Sequence, residues 1–225
     1  MLPIGNTGVP TSDKGQFYPA ALLAALAPYL SCLLGIHLIH SAWAALLLYH
    51  AAIAAVVFRR GLKSARIEAC RGWSTCWGLG LALVCLLNGG ALLLLWRFVA
   101  RNPGDLSGQL ARLGFTQGSW WLFGAWYVLV HPILEELFWR CTLTSGRSGL
   151  AFPDLAFAGY HSIVLIAFMP WFWVLPVVLL LAGMGCAWRA LVRRLGGPAV
   201  PIVSHACAGL GTIAAASFLA GRIHP

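Results

Sequence analysis

Apolar residues run in seven long stretches along this chain, at about 17–34, 36–58, 73–96, 119–143, 152–169, 171–188 and 198–220. A helix crosses the hydrocarbon core of a bilayer with about 20 apolar residues, and the stretches are of that order. The first two meet at Gly35, which predicts a very tight hairpin. Pro170 divides the fifth from the sixth, and a loop over 189–198 divides the sixth from the seventh. Trp120, Trp121, Trp171 and Trp173 sit at stretch ends, where interfacial aromatics belong. Residues 1–16 are polar and rich in Gly and Pro, the pattern of a mobile tail. The chain therefore reads as all-α, a polytopic membrane helical bundle of about seven transmembrane helices. It divides into the tail 1–16, N-terminal helices and loops over 17–118, and a helical core over 119–225, all in one membrane domain.

Composition removes the alternative of a soluble fold. The chain is 60% hydrophobic and 9% charged, against about 25% charged for a soluble domain. Its net charge of +9 invites a nucleic-acid reading, but Arg59, Arg60, Lys63, Arg66 and Arg71, then Arg189, Arg193 and Arg194, form short separated clusters between apolar runs. Such clusters build no nucleic-acid groove and match the bias of cytoplasmic loops. With Lys14 and Arg147 they outnumber Arg97, Arg101, Arg112 and Arg222 on the other side, which predicts an N-terminus inside. The seven cysteines form no C-x-x-C pair and read as soft packing residues.

Charge falls deep inside an apolar stretch at one place, between His131 and Arg140. Each mid-helix charge costs about 2.5–3.5 kcal/mol on insertion scales, so Glu135, Glu136 and Arg140 must pair or face a wet cavity. Glu136 and Arg140 are four apart, the spacing of an ion pair on one helix face. Glu135 is turned by about 100° from Glu136 and shares its face with His131. Pro132 removes a helix hydrogen bond near Val128 and predicts a kink there. One Arg cannot neutralise two carboxylates, so Glu135 is a candidate general base.

His161 and His205 lie in the fifth and seventh stretches. Counted from the stretch ends at 1.5 Å per residue, Glu135, His161 and His205 all sit roughly 10–14 Å from the same face. Three titratable groups from three helices at one depth form a candidate site. His37, His40 and His50 fit this layer less cleanly and read mainly as packing or interfacial residues, although His50 reaches comparable depth. Asn88-Gly89-Gly90 offers a polar group or a close helix contact.

The order Glu135-Glu136-x-x-x-Arg140, then Phe157-x-x-x-His161, then His205 on the last helix resembles the CAAX prenyl protease and bacteriocin-processing (CPBP, or Abi) family of intramembrane glutamic proteases, over roughly 119–215. The resemblance implies that Glu135 activates the attacking water, that His161 helps to hold it, and that His205 stabilises the oxyanion. Glu136, Arg140 and Phe157 would shape the site. The family usually carries Asn or Asp four residues after the last His, where this chain has Gly209. Losing one oxyanion donor costs about 10²–10³ in rate. No metal is implied. A Glu with two His could also hold zinc, although no H-E-x-x-H pair is present.

The resemblance implies an integral membrane endopeptidase, expected in the bacterial inner (cytoplasmic) membrane. Its partners would be the lipid bilayer and a membrane-anchored peptide or protein, with no nucleic acid. A C-terminal sorting tail, a prenylated CAAX-type end and a leader peptide are the candidate substrates, and small loops predict lateral entry between helices. Three rivals stand beside it: a catalytically silent scaffold, suggested by Gly209; a transporter or proton relay, since intramembrane Glu, Arg and His also mark ion pathways; and an enzyme using Cys141 or Cys207. Transport lacks support from any internal repeat, and both cysteines point away from their neighbouring Arg140 and His205.

Overall fold

A computed structural model of the chain describes residues 23–143 and 145–221. The predicted tail, Lys14, the start of the first stretch and Arg222 lie outside the described residues. Those described form helices and no strand, as the apolar pattern requires. Helix α1 (Ala27–Cys32) continues as a π-helical turn, Leu33–Leu38, and is followed by α2 (Ala42–Val57) and α3 (Leu62–Ala69). Next come α4 (Thr75–Leu86), α5 (Asn88–Val99) and α6 (Leu106–Arg112). The second half contains α7 (Gln117–Leu129), α8 (His131–Glu136) with a π-helical extension Leu137–Thr142, α9 (Phe152–Leu165), α10 (Trp171–Leu195) and α11 (Ala199–Ala220).

Among the described residues, three helical rods are long and apolar enough to cross a membrane: Thr75–Val99, which joins α4 to α5, then α10 and α11. A fourth is counted if the bent pair α2 and α3 is one span. The expected seven is thus not reached by length and composition. Helix α9 explains part of the shortfall. At 1.5 Å per residue its 14 residues extend roughly 21 Å, short of a ~30 Å hydrocarbon core. Turns at 166–168 end it ahead of Pro170, since the residue before a proline is biased away from helix. The predicted stretch 119–143 is also interrupted, at Val130. Pro132 has no N–H to continue the ladder, which is the break the sequence places near Val128.

The first hairpin turns at 39–41, not at Gly35. Gly35 lies inside the π-helical turn, and a Cβ there would meet Ala45 Cα of α2 at 2.6 Å. Its bare backbone serves close helix approach. The turn itself uses His40 at φ 56° and Ser41, whose hydroxyl accepts from the Ala44 N–H at 3.2 Å as an N-cap. Gly89 makes the equivalent approach between α5 and α11: a Cβ would meet the Gly211 carbonyl oxygen at 2.5 Å. Beside it Asn88 donates to Thr212 at 2.8 Å, so this segment provides a close helix contact.

Burial is uneven. Leu79, Leu83, Val84, Leu94 and Phe98 on the Thr75–Val99 rod are exposed, as lipid-facing residues are. The larger core cluster instead gathers Tyr49 and Ile53 of α2 with Phe138, Trp139, Phe157, Tyr160 and Trp188. It encloses the charged segment of α8.

Arg189 corrects another expectation. It is not in a basic loop but inside α10, fully buried with Asp154 of α9. The two form an ion pair at 2.6 Å, and Asp154 also caps the Ala151 N–H at 3.0 Å. The remaining guanidinium donors hold the carbonyls of Ser145, Arg147 and Gly149, which fixes the loop that joins α8 to α9. All seven cysteines are free.

Candidate active site

Four segments converge on Glu135: α2 with Tyr49 and His50, α8 and its π turn with His131 to Arg140, α9 with Phe157 to His161, and α11 with His205. Glu135, Glu136 and Arg140 are fully buried. The effective cost of burying an ion is several kcal/mol, so their surroundings must supply donors and counter-charge. The two oxygens of Glu135 differ sharply. Oε1 accepts from the Tyr160 hydroxyl at 2.7 Å and from the Tyr49 hydroxyl. Tyr49 is itself oriented by the Trp139 indole N–H at 2.8 Å. Oε2 has no hydrogen-bond partner among the described residues. It faces His131 Nε2 at 3.3 Å and His205 Nε2 at 3.7 Å.

Glu136 lies on the adjacent face, as its spacing from Glu135 dictates. Its Oε1 meets His205 Nδ1 at 3.0 Å, and its Oε2 lies 3.4 Å from Arg140 Nε. The ion pair expected between positions 136 and 140 is present, and it is tied to the last helix through His205. The Arg140 guanidinium sits over the Phe157 ring at 4.5 Å, a cation–π placement. Gly185 of α10 leaves room for it: a Cβ there would come within 3.2 Å of the guanidinium. The segment from Leu137 to Thr142 is π-helical, a form that often marks functional sites.

His161 stands at the edge of this group. Its Nδ1 donates to the Phe157 carbonyl at 2.8 Å, and its ring packs on Tyr160 at 4.1 Å and Phe157 at 5.0 Å. With Nδ1 donating, Nε2 of the neutral ring is an acceptor. The site thus brings Glu135, Glu136, Arg140, Phe157 and His205 into mutual contact, with His161 one aromatic ring away. Gly209 is buried against Tyr127, whose ring a Cβ would touch at 3.4 Å. Ser204 and Thr212 bond the Pro201 and Ala208 carbonyls and serve the helix.

Sequence reasoning missed the N-terminal contribution. Nothing in the local pattern marks Tyr49, and the pattern around His50 is that of a packing residue; in the structure His50 bonds His131 at 2.9 Å. Depth was the available signal for His50, but no spacing rule links α2 to α8. His131, Glu135 and His205 present ligand-type atoms within 4.8 Å of one another, and two His with a carboxylate is a set that zinc accepts. That trio differs from the expected one in having His131 where His161 was placed.

Residues 117–210 match the family model described as type II CAAX prenyl endopeptidase Rce1-like. The match spans the two carboxylates, Arg140, Phe157, His161 and His205, so the CPBP-type resemblance holds over this segment. The chain is accordingly an integral membrane protein with a segment similar to a membrane-protease family. The searches of curated proteins and of solved structures returned no match.

Proposed function

We propose that the protein is an intramembrane endopeptidase of glutamic type that hydrolyses a peptide bond in a membrane-anchored substrate. One observation carries the reading: Oε1 of Glu135 is occupied by two tyrosine hydroxyls, while Oε2 keeps its lone pairs free beside two histidines. A general base needs such an oxygen, held in place through its partner. Water gives a proton to Glu135 Oε2 as its oxygen attacks the scissile carbonyl, and that proton later passes to the departing amine. The acceptor Nε2 of His161 helps to hold the water.

His205 donates from Nε2 to the developing oxyanion, with Nδ1 anchored on Glu136. That donation requires a proton on His205 Nε2, and oxyanion donors act most strongly in such dry sites. Gly209 offers no side-chain donor, so His205 carries this task without the Asn or Asp the family usually supplies. Substrate enters laterally between helices, and the open apolar groove lined by Leu33, His37, Ser162, Ile163, Trp171 and Val174 is the candidate entry. The membrane is the bacterial inner membrane with the N-terminus inside, and a C-terminal sorting tail is the preferred substrate.

Purified protein in liposomes tests this on a library of membrane-anchored peptides, with and without a chelator. Cleavage that survives the chelator and disappears in Glu135→Ala and His205→Ala supports a metal-independent glutamic protease. Cleavage abolished by the chelator points to zinc on the His131, Glu135 and His205 trio. A folded wild type that cleaves nothing favours the silent scaffold.

A further inference from the structure

Helix α2 lies outside the segment 117–210 that matches the protease family, yet it delivers His50 to the site. His50 takes part in two hydrogen bonds: Trp126 Nε1 to His50 Nδ1 at 2.9 Å, and His50 Nε2 to His131 Nδ1 at 2.9 Å. The chain has only one possible direction. An indole N–H donates and cannot accept, so His50 Nδ1 must present its lone pair to Trp126. A neutral imidazole has one donor and one acceptor nitrogen, which puts the His50 proton on Nε2. His50 then donates to His131 Nδ1, and the proton of His131 is on Nε2. The reverse order would require His50 to accept at both nitrogens. Stacking holds the rings in this alignment: His131 lies between Tyr127 at 4.7 Å and His50 at 5.1 Å.

We infer that Trp126 and His50 are positioning residues that lock His131 in the tautomer protonated at Nε2, which makes that nitrogen a proton-bearing neighbour of Glu135 Oε2 and not a metal ligand. The nitrogen in question is the one 3.3 Å from that oxygen. A ring nitrogen that carries a proton has no lone pair for a cation, so the trio of His131, Glu135 and His205 has ligand types for zinc but lacks the His131 electron pair. Recruiting His131 Nε2 to a metal would move its proton to Nδ1, against the His50 Nε2–H, and leave both donors without an acceptor. The N–H instead sets the positive end of the imidazole dipole beside Glu135. This deepens the proposed role of Glu135, and its effect on rate rests on that reading; the tautomer itself does not.

The test is the ring ¹⁵N spectrum of histidine-labelled protein in lipid nanodiscs, with the His131 signals assigned by their loss in His131→Asn. His50 and His131 are both expected with a pyrrole-type Nε2 and a pyridine-type Nδ1. In Trp126→Phe the donor that sets the direction is gone, and His131 should populate both tautomers. Its kcat should fall by about tenfold, the low end for outer-shell partners, with KM little changed. His50→Gln keeps an N–H toward His131 and should retain most activity, whereas His50→Phe should lose it. Titration of wild type with Cd²⁺ should leave the His131 signals unmoved. A pyridine-type Nε2 on His131 in wild type, or stoichiometric Cd²⁺ that shifts it, overturns the inference. Wild type that cleaves with the His131 proton on Nδ1 sinks this inference and spares the protease reading. Wild type with the expected tautomer and no cleavage on any peptide does the reverse.

Discussion

The rod Thr75–Val99 and the segment 117–142 are similar in length and both apolar overall, yet they occupy opposite environments. The rod turns Leu94 and Phe98 outward at 77% and 73% exposure, because lipid satisfies leucine as well as a protein core does. The second segment hides its charged stretch completely. In water the core is where apolar side chains gather; here the innermost positions hold two carboxylates, a guanidinium and the aromatic rings around them. What drives burial in this chain is the cost of showing a charge to hydrocarbon. Several buried polar atoms of this group, Glu135 Oε2, Glu136 Oε2, His131 Nε2 and the three Arg140 guanidinium nitrogens, have no hydrogen-bond partner among the described residues.

Mutations can break this contrast at several points. The largest effect should come at the site itself: His205→Ala is expected to lower cleavage by about 10²–10³, the loss of one oxyanion donor, with the melting temperature in detergent close to wild type. Arg189→Met removes a buried charge away from the site and leaves Asp154 unpaired. It should destabilise the fold by about 3–5 kcal/mol, seen as a lower melting temperature, while the molecules that remain folded still cleave. Gly89→Ala forces a methyl against the Gly211 backbone and should cost about 1–3 kcal/mol as overpacking. Leu94→Ala, on the lipid face of the same rod, should change stability by less than about 0.5 kcal/mol. If Leu94→Ala were as costly as Arg189→Met, the assignment of that face to lipid would be wrong.

Much of the site could be read from the chain because helical spacing is local. Glu136 and Arg140 pair as the four-residue interval requires, and the break at Val130 follows from Pro132. Equal depth brought Glu135 and His205 together correctly, since depth needs only a count along each helix. Rotation about the helix axes and the pairing of helices depend on packing, which local spacing does not carry. Neither the place of His50 beside His131 nor the reach of Tyr49 to Glu135 is therefore legible in the chain. Arg189 looked like one more loop cation because its partner Asp154 is 35 positions away. The hairpin moved from Gly35 to His40 because the glycine serves a helix contact, a use that a single sequence does not separate from a turn.

The central claim is that the buried charges around Glu135 exist for hydrolysis and not for stability. Single-turnover cleavage by Glu135→Gln in liposomes, normalised to the folded fraction measured by thermal melting, tests it most directly. The amide keeps the size of the side chain and removes the base. The account predicts a rate lower by about 10²–10⁴, the usual contribution of a general base, at an unchanged or higher melting temperature. A variant that cleaves at the wild-type rate but melts earlier would contradict it, and would make Glu135 a structural carboxylate.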